Sequence, residues 1–151
     1  MIIWIDGDAC PNKIKELIFR TAIRLNICAY LVSNHLSAIP PSPYIKYVQV
    51  PQGFDQADNY IMQHVKKNQL VITNDIILAD RVVRENALAL NTRGKLYSAN
   101  NINQILAIRN LNETLRESGM ISSKESSLSA MDIKNFANIF DKIITQLMKN
   151  S

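Results

Sequence analysis

IIWIDGDACP, residues 2–11, carries four apolar residues straight into a carboxylate, and NKIKELIFRTAIRL follows over 12–25. A short apolar run of this kind is a buried strand of a parallel sheet, where both faces are covered and hydrophobicity is continuous rather than alternating. Pro11 stands where a helix begins, and Ile14, Leu17, Ile18, Ala22 and Leu25 recur at helical spacing, so a helix is predicted from about Asn12 to Leu25. Strand, tight turn and helix in that order are the opening of a βαβ unit.

The rest of the chain repeats the theme. Cys28 to Val32 is the second strand, Ser33 to Pro43 with Pro40, Pro41 and Pro43 is a loop, and Tyr44 to Val50 is a strand ended by Pro51. Asp55 caps a helix running to about Asn68, Leu70 to Thr73 is a strand, Ile76 to Glu85 a helix and Ala87 to Leu90 a short strand. This alternation predicts a doubly wound α/β sheet. Beyond it, Asn101 to Ser118 reads as a helix stopped by Gly119, and Ser122 to Ser127 as a polar, mobile connection. Ser129 with Asp132 resembles a variant capping box, ahead of an apolar stripe of Ile133, Phe136, Ala137, Phe140, Ile143, Ile144 and Leu147, a lid or packing element.

Composition sets the outer bounds. The 151 residues, 47% hydrophobic and 20% charged, suit one globular domain with a proper core. No run of about eighteen apolar residues suggests a membrane span, and Asp6 comes too early for a signal peptide, so a soluble cytoplasmic protein is expected. Cys10 and Cys28 are then expected as free thiols. The net charge of +4 and pI near 9.1 favour a polyanionic partner. The cations lie on the first helix (Lys13, Lys15, Arg20, Arg24), at the end of the second (Lys66, Lys67), beside the third acidic pair (Arg81, Arg84) and around Gly94 (Arg93, Lys95).

Acidic residues are concentrated differently. Seven fall within the first eighty positions, and six of them form three pairs: Asp6/Asp8, Asp55/Asp58 and Asp75/Asp80. Two pairs follow apolar strands, at the sheet edge where open α/β folds build sites. Converging carboxylates repel one another unless protons or cations neutralise them, which points to a divalent metal, magnesium or manganese. Four of the six also have a structural reading. Asp8 and Asp55 suit helix caps, Asp58 the second half of a capping box, and Asp80 an ion pair with Arg81 or Arg84. Thr73 or Asn74 is expected to fix the turn that aims Asp75 at the cleft. Cys10, near a helix start, has the position of an activated thiol but no neighbouring His in sequence. Arg93-Gly94-Lys95 is either a phosphate grip or a plain surface turn.

Together these motifs resemble the YaiI/YqxD group of small uncharacterised bacterial proteins. The likeness rests on Asp-x-Asp-Ala-Cys-Pro over Asp6 to Pro11, on Gly53 to Asp58, on Thr73 to Ala79 and on Arg93-Gly94, and it covers most of residues 1–120. That group looks like a branch of the PIN-like nucleases. The resemblance implies a three-layer PIN-like α/β fold over 1–120 with a mostly parallel central sheet. Residues 121–151 would add a polar linker and a C-terminal amphipathic helix on the same domain. It further implies Asp6, Asp58 and Asp75 as catalytic acids, the same three with Asp8 as ligands of Mg2+ or Mn2+, and RNA or DNA as substrate. Arg93, Lys95 and Lys13 are the candidate substrate contacts. Three departures stand out: Gly7 where the group usually has Ala, Ile77 where it has Pro, and no Gly-Pro-rich stretch over Ser122 to Ser127. The residues also allow a haloacid-dehalogenase-like phosphatase, with Asp6 and Asp8 as nucleophile and acid, or a metal- or nucleic-acid-binding module without catalysis.

Overall fold

The computed structural model describes residues 1–53, 55–119 and 127–150. A six-stranded sheet in the order β3-β2-β1-β4-β5-β6 runs through its centre. Its strands are β1 (Ile2–Asp6), β2 (Cys28–Ser33), β3 (Ile45–Gln49), β4 (Leu70–Ile72), β5 (Leu88–Leu90) and β6 (Leu96–Tyr97). The first five pair in parallel, and β6 returns antiparallel to β5. The five helices are α1 (Asn12–Leu25), α2 (Gln56–His64), α3 (Ile76–Arg84), α4 (Ile102–Glu117) and α5 (Ala130–Lys149). The expected mostly parallel α/β architecture, with helices at the C-terminal end, is present.

Alternation along the strands makes the layers. Ile3 and Ile5 of β1, Leu70 and Ile72 of β4 and Leu90 of β5 share one core with Ile14, Ile18 and Ala22 of α1 and Phe136, Phe140, Ile143 and Ile144 of α5. Trp4, Val71 and Ala89 face the other way, onto Ile61 of α2, Leu78, Ala79 and Val82 of α3 and Ile102 of α4. The C-terminal helix is therefore a core element beside α1 and not a lid. Its start is the capping box read from sequence: Ser129 Oγ accepts from the Asp132 amide at 3.1 Å, and Asp132 Oδ2 accepts from the Ser129 amide at 2.9 Å.

Several boundaries move. The second helix ends at His64 rather than near Asn68, so Lys66 and Lys67 lie in a turn beyond it. Gln69 explains the early stop, because its Oε1 accepts from both the Lys66 amide and Trp4 Nε1 at 2.9 Å, while Asn68 takes a left-handed conformation at φ 66°. The strand β6 has no counterpart in the sequence reading. Most of the polar stretch Ser122 to Ser127, expected to be mobile, lies outside the described residues.

The order 3-2-1-4-5 puts the topological switch between β1 and β4, since the chain moves outward to β2 and β3 and then crosses back past β1. Ligands of open α/β sheets bind outside the carboxyl ends of the strands at such a point. Asp6 ends β1 there, and Thr73 to Asp75 follow β4.

Candidate metal centre

Thr73 organises the switch point. Buried at the end of β4, its hydroxyl donates to Asp6 Oδ2 at 2.9 Å and accepts from the Asp75 amide at 3.0 Å. One short side chain thus links the two strand ends and sets the turn into α3, the role the sequence offered to Thr73 or Asn74. Asn74 does different work: its Oδ1 accepts from the amide and hydroxyl of Thr92, tying β4 to the β5–β6 hairpin. Asp75 is the N-cap of α3, its Oδ1 accepting from the amides of Ile77 and Leu78. The cap occupies one oxygen and leaves Oδ2 for the cleft.

Asp55, read from sequence as a cap, stands at the N-cap position of α2 but makes no capping hydrogen bond. Its backbone is left-handed at φ 62°, which Asp tolerates better than most residues. Ligand oxygens of Asp55, Asp58 and Asp75 lie within 4.8 Å of one another. Asp6, Asp8 and Asn74 line the same cleft, of about 380 Å³. Asp55 is thus the candidate ligand that sequence reasoning missed. The available signal was its spacing three residues ahead of Asp58, which puts both on one side of a first helical turn.

The electrostatics are those of an uncompensated acidic pocket. Burial pushes the Asp58 carboxyl up to about 7, and the charges of Asp75 and Asp6 add to the effect. Burial also raises Asp6, against the hydrogen bond from Thr73, with Asp8 and Asp75 adding to the rise. Burial and mutual repulsion thus disfavour a fully ionised cleft, and a proton or a bound cation relieves both. Unfolded Asp58 loses its proton near 4, whereas the folded chain keeps it to about 7, so the folded state holds the extra proton between those values. Stability from this group is present at low pH and is lost as pH rises through about 4 to 7. We expect chelator-treated protein to lose on the order of 2–4 kcal/mol of unfolding free energy from Asp58 over that window. Urea melts at pH 5 and pH 8 read the change, and a stability flat or rising across the interval would contradict the assignment.

The other candidates separate. Asp8 Oδ1 accepts from Ser33 Oγ at 2.7 Å and from the Asn34 amide at 3.1 Å, so it pins the end of β2 at the rim and does not cap α1. Asp80 is bound through both oxygens to Arg84, at 3.0 and 3.1 Å, and does not line the cleft. Arg93 is ion-paired to Asp132, the capping residue of α5. Gly94 has φ +91°, and a Cβ there would sit 2.8 Å from the backbone of Asn135. Arg93 and Gly94 thus bracket the start of α5 against the β5–β6 hairpin. Lys95 does border the acids, in the larger depression that adjoins them. Lys13 is exposed on the first turn of α1 and lines neither cavity. Cys10 and Cys28 are free, as expected. Burial pushes the Cys10 thiol up to about 12, the reverse of an activated nucleophile.

Known proteins are similar to this chain almost end to end. The family described as "Uncharacterized BCR, YaiI/YqxD family" matches residues 4–146. A UPF0178 protein of Shewanella sp. (strain ANA-3) is 50% identical over 145 residues, covering 96% of this chain and 97% of the relative. The corresponding protein of Colwellia psychrerythraea is 48% identical over 149 residues, 99% of each chain. That of Legionella pneumophila (strain Philadelphia 1) is 49% identical over 142 residues, 94% of this chain and 96% of the relative. No helix among the described residues is long and apolar enough to cross a membrane. Matched over nearly its whole length, the chain belongs to the YaiI/YqxD family.

Proposed function

We propose that this protein is a divalent-metal-dependent nuclease that hydrolyses RNA or DNA phosphodiesters at the cleft between β1 and β4. The observation that carries the reading is the convergence of Asp55, Asp58 and Asp75 within 4.8 Å, beside a buried Asp6. An all-carboxylate set of this kind suits hard cations such as Mg2+ or Mn2+. Asp55, Asp58 and Asp75 would hold the ion, with Asp6 and the rim residue Asp8 beside them. Bound there, it would supply an activated water and offset negative charge gathering on the phosphate.

The chain's own residues prepare the site. Thr73 aims Asp6, the α3 cap fixes Asp75, and burial raises the Asp58 carboxyl to about 7, its charge one that a bound cation would offset. Lys95 lies on the side from which a phosphate would approach. The phosphatase alternative needs Asp8 as a mobile acid, and the hydrogen bonds from Ser33 and Asn34 hold that carboxylate at the strand end.

The test is manganese-dependent cleavage of labelled single-stranded RNA, single-stranded DNA and structured substrates by the wild type and by Asp6→Asn/Asp75→Asn. Cleavage confined to the wild type is the expected result. Cleavage equal in the double variant would place the chemistry elsewhere, and a trapped aspartyl-phosphate would restore the phosphatase.

A further inference from the structure

The acidic cleft opens sideways into a larger depression of about 740 Å³ between α3, the β5–β6 hairpin and α4. The two share Asp55, Asp58, Asn74 and Asp75, so one continuous channel leads onto the carboxylates. Away from them its lining changes character. Ile77 and Ile108 offer apolar surface, 44% and 51% exposed, and Arg81, Lys95 and Arg116 supply positive charge. Of the sixteen residues of α4 only Ile102 is buried; Ile105 and Leu106 pack partly against the core, while Ile108 and Leu111 are exposed. Arg109 is occupied by Glu113, but Arg81 and Arg116 form no ion pair among the described residues.

We propose that this groove binds an unpaired polynucleotide strand, its bases lying on Ile77 and Ile108 and its phosphates held by Arg81, Lys95 and Arg116. The assignment rests on the nuclease reading, since the acid cluster is what gives the strand a destination. A lining that carries both apolar and cationic side chains suits a chain that carries both bases and phosphates. A duplex encloses its base faces and gives Ile77 and Ile108 nothing to cover. A second copy docked through α4 would bring two sets of the same three cations together, with Glu113 as the groove's only acid outside the cluster among the described residues.

Fluorescence anisotropy with labelled oligo(U), oligo(dT) and a blunt duplex, each of about 12 nucleotides, tests this in calcium buffer across a salt series. The two single strands distinguish RNA from DNA as the source. We expect Arg81→Gln/Arg116→Gln to flatten the log–log salt dependence by about 1.4, two phosphate contacts at about 0.7 each on a single strand. Ile77→Ser/Ile108→Ser is expected to weaken binding about 5- to 10-fold with the slope unchanged. All four side chains are at the surface, and thermal melts verify that the variants fold. Equal affinity for the duplex, wild-type binding by both variants, or no binding with a dimer dissolved by Ile108→Ser would each overturn the proposal. Asp75→Asn separates this from the nuclease reading. Strand binding without cleavage in the wild type overturns the chemistry alone, and cleavage indifferent to both groove pairs overturns the groove alone.

Discussion

Under the proposed nuclease function, Asp58→Asn is expected to lower phosphodiester cleavage on the order of 10³-fold, the scale of removing one preorganised group that stabilises charge in the reacting state. The same change raises the melting temperature of the metal-free protein. Buried Asp58 faces Asp75, Asp6 and Asp55, and its carboxyl is pushed up to about 7. Above that pH the folded chain carries a charge that burial and its neighbours both oppose. An isosteric amide removes the charge and keeps the shape. The gain is about 2 kcal/mol at pH 8, or roughly 4–8 °C for a chain of this size. Manganese should raise the wild-type melting temperature more at pH 8 than at pH 5, because the cation and the proton compete for the same oxygens. Asp58→Asn should lose most of that response. A variant that melts below wild type in chelator at pH 8 would show that the ionised carboxylate is satisfied by something other than a metal.

Gly94→Ala is expected to cost about 3 kcal/mol, the sum of a left-handed backbone that disfavours a side chain and a contact that cannot relax. A Cβ at this position would stand 2.8 Å from the Asn135 carbonyl carbon and 2.9 Å from the Phe136 nitrogen, both helix backbone, with φ at +91°. The hairpin could accept it only by moving off α5. That helix carries Phe136 and Phe140 into the core beneath β1 and β4, so the loss should appear as cooperative unfolding at lower urea. Arg93→Gln removes the partly exposed pair with Asp132, a surface ion pair that contributes little. Wild-type stability in Gly94→Ala would mean that the hairpin and α5 do not pack this closely in solution.

Residues 2–11 foretold more of the fold than any other segment, because a buried parallel strand and an N-terminal helix turn are both written in consecutive residues. The same holds for Leu70 to Asp75 and for the capping box at Ser129, whose partners lie within three positions. The strand β6 could not be read this way. Its two residues are too few to show a period, and it exists because Asn91 and Gly94 turn the chain back onto β5.

The site divides along the same line. Its acids were legible as pairs after strands, and the resemblance to the YaiI/YqxD group singled out Asp6, Asp8, Asp58 and Asp75. Which carboxylates converge was not legible, since Asp8 finds its partner at Ser33, Arg93 finds its own 39 positions away at Asp132, and Asp55 is released from capping by a left-handed backbone. The amino-acid sequence alone determined the alternation of strands and helices, the strand ends that carry acid and the cap that starts α5, all of them products of short-range periodicity and local hydrogen bonding. Only the tertiary structure decided which charges are neutralised and which are left facing one another, because a carboxylate's partner is set by what the sheet brings within hydrogen-bonding distance and not by its neighbours along the chain.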